Sequence, residues 1–145
     1  MGRSRVGWAN DAVGDYTKRL RRYGGVVERE VRAEAFRGHE EAVRAAEAER
    51  LCAHLPARSV LVVLDERGTR CTSEAFAALI DEGRQQGTVV FAIGGPYGHG
   101  ASAREAAWRV VRLSDLVLNH ELARVVLYEQ LYRAMTLLEG APYHH

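Results

Sequence analysis

Val89-Val90-Phe91-Ala92-Ile93-Gly94-Gly95-Pro96-Tyr97-Gly98-His99-Gly100 joins a short apolar run to a loop with four glycines in its seven residues. The run is β-branched and aromatic, shows no alternation, and is cut off sharply by glycine. That pattern predicts a strand buried on both faces, as in a parallel sheet. Glycine suits a loop whose backbone must approach a ligand closely or take positive φ, although a plain strand-to-helix turn explains it equally well. Gly98-His99-Gly100-Ala101-Ser102-Ala103 also matches the G-x-G-x-x-A form of the dinucleotide fingerprint. That fingerprint should open directly from the first strand of a βαβ unit, and here it starts too late in the chain.

Downstream, Arg109 to Leu113 is the next strand candidate. Ser114-Asp115-Leu116-Val117-Leu118-Asn119 is apolar but interrupted, which predicts a loop held against an apolar surface. A helix follows over His120–Leu138. Leu127, Leu131, Ala134 and Leu138 recur at helical spacing and form its predicted core stripe. His120, Arg124, Tyr128 and Tyr132 lie at i,i+4 along a neighbouring stripe, which an ordinary amphipathic boundary also explains. Glu129 and Arg133 read as an i,i+4 surface pair. Gly140 ends the helix, Pro142 prevents its return, and the chain finishes in Tyr143-His144-His145.

Upstream, Asn10 to Tyr23 reads as a helix with a basic end, Lys18-Arg19-Leu20-Arg21-Arg22. Those cations suit an RNA backbone and equally suit a helix C-terminus in solvent. Val26 to Phe36 partly alternates and predicts a strand with one wet face. Glu40 to Leu55 predicts a helix stopped by Pro56. Ser59 to Asp65 is the clearest buried strand, ending in a turn at Glu66-Arg67-Gly68. Ser73 to Gln86 predicts a helix with Ser73 as N-cap. Alternating strands and helices predict one layered, mostly parallel α/β domain. Ligands bind outside the carboxyl ends of such strands, here Leu64-Asp65, Gly94-Gly95 and Leu113-Ser114.

The 145 residues are enough for one domain with a real core, and 47% hydrophobic and 27% charged residues are the proportions of a soluble protein. No apolar run reaches membrane-spanning length and no leader pattern precedes the first helix, so neither membrane nor secretion is expected. Cys52 and Cys71 lack metal or redox spacing and read as free thiols of a reducing cytoplasm. No His, Cys or carboxylate spacing predicts a metal site. A net charge of +1 shows no general basic excess, so RNA binding would need a local patch, a dimer surface or a shaped docking site.

Ile93-Gly94-Gly95-Pro96-x-Gly98, then Leu113-Ser114, then His120-x-Leu122-x-Arg124-Val125-x-Leu127-x-Glu129-Gln130-Leu131-Tyr132-Arg133-Ala134, then Pro142-Tyr143-His144 closely resembles the bacterial ribosomal RNA large-subunit methyltransferase H family, of the SPOUT superfamily. The resemblance extends more weakly over almost the whole chain. It implies a C-terminal trefoil knot and an S-adenosylmethionine-dependent enzyme that methylates N3 of a pseudouridine in 23S rRNA on the ribosome, in the cytoplasm. It implies a cofactor pocket from Leu64, Gly94, Gly95, Leu113, Ser114, Asp115, Leu116, Val117 and Leu118. It implies catalytic roles for His120, Arg124, Tyr143 and His144, and a homodimer in which one subunit's tail completes the partner's site. Three departures stand out. The family's N-terminal apolar edge strand is absent or truncated. Asn119 replaces a proline, and His145 follows the Tyr-His pair where a basic residue is usual. The alternatives are a SPOUT methyltransferase with another RNA or a small molecule as acceptor, and a non-catalytic RNA- or partner-binding domain.

Overall fold

Residues 7–144 are described by the structure, a computed structural model. The expectation of an absent or truncated N-terminal strand concerns the start of the chain, and residues 1–6 lie outside the described residues. Helix α1 spans Gly7–Leu20 and continues as a 3₁₀ turn, Arg21–Tyr23. Then come α2 (Glu40–Ala53), β1 (Ser59–Arg70), α3 (Ser73–Gln86), β2 (Thr88–Ile93), α4 (Ala101–Ala106), β3 (Arg109–Arg112) and α5 (His120–Glu139).

The strands are parallel in the order β2-β1-β3. The central strand carries the apolar run, because only there are both faces and both edges covered. Val62 and Leu64 face a core with Phe76 and Ile80 of α3 and Leu127 and Ala134 of α5. Leu61 and Val63 face the opposite way, with Ala92, toward Leu51 and Leu55. Val62 and Val63 are fully buried, each worth about 1.5–3 kcal/mol of hydrophobic stabilisation. A third cluster joins α1 to α5 through Val13, Leu20 and Tyr128.

Leu64 pairs with Ile93 on one side and Val111 on the other. The ends of three strands therefore stand level, and the glycine loop and the Leu113–Leu118 loop leave from the carboxyl end of the sheet, on either side of β1.

Four expectations are corrected. Val26–Phe36 forms no strand. A strand needs a neighbour's backbone, and a cavity of about 1100 Å³ is lined by Val26–Val31 on one side and the open edge of β2 on the other. Side chains fix the segment instead: Glu28 bonds Arg124, Glu34 pairs with Arg50, and Phe36 stacks on Tyr97 at 5.6 Å.

Glu66-Arg67-Gly68 does not end β1. Leu64 and Thr69 both register with Val111, so residues 65–68 bulge outward and the strand resumes to Arg70. The bulge needs Gly68, since a Cβ there would stand 2.5 Å from the Val111 carbonyl carbon. Backbone cannot yield as a flexible side chain does. Gly68→Ala is expected to cost about 1–3 kcal/mol, read as a lower urea midpoint.

Ser73 is not the cap of α3. Thr72 accepts from the Ala75 amide at 3.2 Å, and Ser73 Oγ instead donates to Gln130 Oε1 at 2.7 Å, tying α3 to α5. Leu138 is 42% exposed and lies off the core stripe, while Leu127 and Ala134 are buried. As expected, α5 ends at Gly140, which takes φ 76°, with the Ala141 amide returning to the Thr136 carbonyl at 2.9 Å.

Candidate active site

The amino end of α5 is set by Asn119, whose Oδ1 accepts from the Leu122 amide at 2.9 Å. A residue that departs from the resemblance thus serves as an ordinary N-cap. Asn119→Ala is expected to cost about 1 kcal/mol of stability, measured by urea unfolding. The cap directs the first two turns of the helix, and with them His120, Glu121 and Arg124, into the wall of the cavity.

Arg124 is 15% exposed and firmly held. Its Nε and Nη2 donate to the two carboxylate oxygens of Glu28 at 2.9 and 3.1 Å, and Nη1 donates to Asn10 Oδ1 at 2.9 Å. These bonds use three of the five N–H donors that a guanidinium carries. Tyr128 donates to Glu28 at 2.8 Å, and burial, followed by that bond, pushes its phenol well above the usual range. Tyr128 and Tyr132 otherwise pack with α1. The i,i+4 stripe therefore divides: its first three members line the cavity, and half-buried Tyr132 packs with α1.

The glycine loop lines the same cavity through Gly94, Gly95, Gly98 and Gly100. Its turn closes with the Gly98 amide on the Gly95 carbonyl at 2.9 Å. His99 folds beneath it, donating from Nε2 to the Ala92 carbonyl at 3.1 Å, and burial holds its imidazole below the usual range and neutral. The G-x-G-x-x-A match falls after this turn, on a helix of six residues, so it is no dinucleotide fingerprint.

Beside that loop, Leu64 is buried at the end of β1's paired run. In the segment after β3, Ser114 Oγ accepts from the Leu116 amide at 3.0 Å, and Asp115 pairs with Arg70 and with Arg112 at 3.1 Å. Leu116 and Val117 project outward, 77% and 82% exposed. Arg112 Nε, at the root of this loop, is buried with no hydrogen-bond partner among the described residues. Leu113 to Leu118 do not line the cavity that His120 and Arg124 face.

The tail lies elsewhere. Tyr143 packs edge-on against Tyr132 with centroids 4.8 Å apart, donates to Glu129 at 3.3 Å, and carries Arg133 over its ring at 4.8 Å. Burial first, then a hydrogen bond with Tyr16, pushes its phenol up to about 12. His144 Nε2 stands 2.9 Å from Glu74. Glu129 and Arg133, joined at 2.5 Å and mostly buried, form the clamp that holds the tail. Sequence reading took that clamp for a surface pair, and only contact with Tyr143 reveals its use. Thirteen residues of helix separate His120 from Arg133, about 20 Å at 1.5 Å per residue. Within one chain, His120 and Arg124 are brought together and Tyr143 and His144 are not brought to them.

At the basic end of α1, Arg19 pairs with Asp15 and Arg22 with Glu139, both at 2.9 Å, so half of its four cations are internally paired. Among the described residues no group of three His, Cys, Asp or Glu side chains is placed to hold a metal ion, and no helix is long and apolar enough to cross a membrane.

A parallel sheet whose strand-end loops leave from its carboxyl end, with a capped helix bearing histidine and arginine at the cavity wall, is an α/β ligand-binding architecture. The chain belongs to the SPOUT methyltransferase family: the model described as "Predicted SPOUT methyltransferase" matches residues 1–144. It is 43% identical to the ribosomal RNA large subunit methyltransferase H of Geobacter metallireducens, 42% to that of Pelobacter propionicus and 40% to that of Geobacter sp. strain M21. Each alignment covers all of this chain and 95% of the relative.

Proposed function

We propose that this chain methylates N3 of a pseudouridine in 23S ribosomal RNA, on the assembled ribosome in the cytoplasm, with S-adenosylmethionine as donor. The observation that carries this reading is full-length similarity to relatives named ribosomal RNA large subunit methyltransferase H. The trefoil knot belongs to the same reading and rests on family membership.

The residues present fit the donor. Gly94 lies where a Cβ would crowd the Gly98 backbone at 3.1 Å, so glycine there lets the loop close tightly on itself. The orphaned Arg112 Nε and the exposed Leu116 and Val117 leave an unused donor and apolar surface at the carboxyl end of β3. Leu64, Gly94, Gly95 and Leu113 to Leu118 would hold the adenosine and methionine parts. The donor supplies an electrophilic methyl group on a sulfonium sulfur. The protein's part is orientation, which accounts for about 7–11 kcal/mol of such barriers, and stabilisation of the charge that develops on the base. Arg124 stabilises the imide anion or grips a phosphate, and His120 receives the N3 proton.

A complete site takes two chains. Because the tail lies far along α5 from His120 in its own chain, Tyr143 and His144 reach an acceptor base beside Arg124 only from a second subunit. The aromatic ring there is a stacking partner for an extruded base.

Transfer of tritiated methyl from S-adenosylmethionine to ribosomes, isolated subunits and naked 23S RNA tests the proposal. Label in a pseudouridine of assembled ribosomes is expected. Label only in another RNA would move the acceptor, and no transfer to any of the three would defeat the reading.

A further inference from the structure

Glu121 has no role in the family resemblance, yet it is among the least exposed charged side chains of the fold. The residue is 7% exposed and lines the cavity next to His120. Its Oε1 stands 3.1 Å from His120 Nε2. Its Oε2 is buried without a hydrogen-bond partner among the described residues, 3.9 Å from Arg124 Nη1. A carboxylate near a helix amino end is favourable in solvent, so the helix dipole alone does not require burial. Burying a carboxylate oxygen short of partners is costly, and such groups in a native fold call for an explanation.

The chemistry of the contact supplies one. A carboxylate only accepts hydrogen bonds, so a carboxylate oxygen 3.1 Å from Nε2 favours the neutral tautomer that carries its proton there. That leaves the Nδ1 lone pair free, on a side chain 42% exposed at the cavity wall. Building on the proposed rRNA methylation, we propose that Glu121 is a positioning residue that fixes the His120 tautomer and orientation, making His120 Nδ1 the proton acceptor of the reaction.

The balance closes. The N3 lone pair forms the bond to the methyl carbon as the carbon–sulfur bond of the sulfonium donor breaks. The N3 proton passes to His120 Nδ1. The positive charge that leaves sulfur appears on the imidazolium, against the Glu121 carboxylate. Arg124 and Glu28 are the other charged groups here; they pair with each other at 2.9 Å, and Arg124 Nη1 also faces Glu121 Oε2 at 3.9 Å. Carboxylate-oriented histidine bases recur on unrelated folds through the same physics.

The test is a double-mutant cycle on the full chain with ribosomal substrate, joined to nitrogen-15 NMR of the free protein. The isosteric Glu121→Gln is expected to lower kcat about 10- to 100-fold with the Kd for S-adenosylmethionine unchanged. In a His120→Ala background the same substitution should change kcat by less than about twofold, because its only route of action is gone. The NMR spectrum should show His120 protonated on Nε2. Three results would overturn the inference: an unchanged kcat in Glu121→Gln, an equal loss in both backgrounds, or a His120 tautomer protonated on Nδ1. An inactive wild-type enzyme would instead refute the methylation reading itself, while the tautomer measurement still reports on Glu121.

Discussion

Arg124→Ala is expected to lower the turnover of ribosome methylation by about 100- to 1000-fold while leaving S-adenosylmethionine affinity within about twofold. The guanidinium is held by Glu28 and Asn10 before any substrate arrives, so its remaining donors face the cavity without a further cost of ordering. Such a group acts where charge develops on the base, far more than on binding of the donor. Arg124→Lys should rescue poorly, because an ammonium cannot span both Glu28 oxygens and also reach Asn10. Single-turnover kinetics with isothermal titration of the donor separate these effects. A loss of donor affinity equal to the loss of turnover would place Arg124 in the cofactor pocket instead.

Removing Tyr143-His144-His145 is expected to reduce turnover by at least about 100-fold, again with donor affinity retained. The tail is tied to α5 through Tyr132, Glu129 and Arg133, so it is a fixed structure available for presentation to a neighbour. Two subunits make this prediction sharper than simple loss. Mixing the tail-deleted chain with Arg124→Ala should regenerate activity, since one mixed interface pairs an intact Arg124 with an intact tail. No recovery on mixing, with dimers demonstrated by sedimentation, would mean that each chain uses its own tail.

The fold was largely legible because its signals are local. Ser59 to Asp65 announces a buried parallel strand by its unbroken apolar run; Val89 to Ile93 is parallel as expected but only half-buried, because it lies at the open edge of the sheet; and Gly140 ends α5 by its positive φ. What failed depended on partners distant in sequence. Val26 to Phe36 alternates as a strand should, but alternation says nothing of whether a neighbouring edge lies within reach. Gly68 reads as a turn because the bulge is defined only by its contact with Val111. Ser73 and Thr72 compete for the same cap, and Gln130 decides between them from the other helix.

The site divides along the same line. His120 and Arg124 were visible as an i,i+4 pair, but the chemistry around them comes from Glu28, almost a hundred residues away. Glu121 gave no signal, since a glutamate in a helix's first turn is unremarkable until its burial is seen. Tyr143 and His144 were visible only through the resemblance. Their distance from His120 along α5 is a fact of the fold, and the second subunit in the proposal is the one that the resemblance implies.

A crystal structure of the protein with S-adenosylmethionine tests the central claim most directly. The account predicts density for the donor enclosed by Leu64, Gly94, Gly95 and the segment Leu113 to Leu118, with the methyl group toward Arg124 and the tail of a neighbouring subunit. Donor density in any other part of the molecule, or in a lone chain whose own tail stays clamped on Glu129 and Arg133 with no neighbour near, would contradict it.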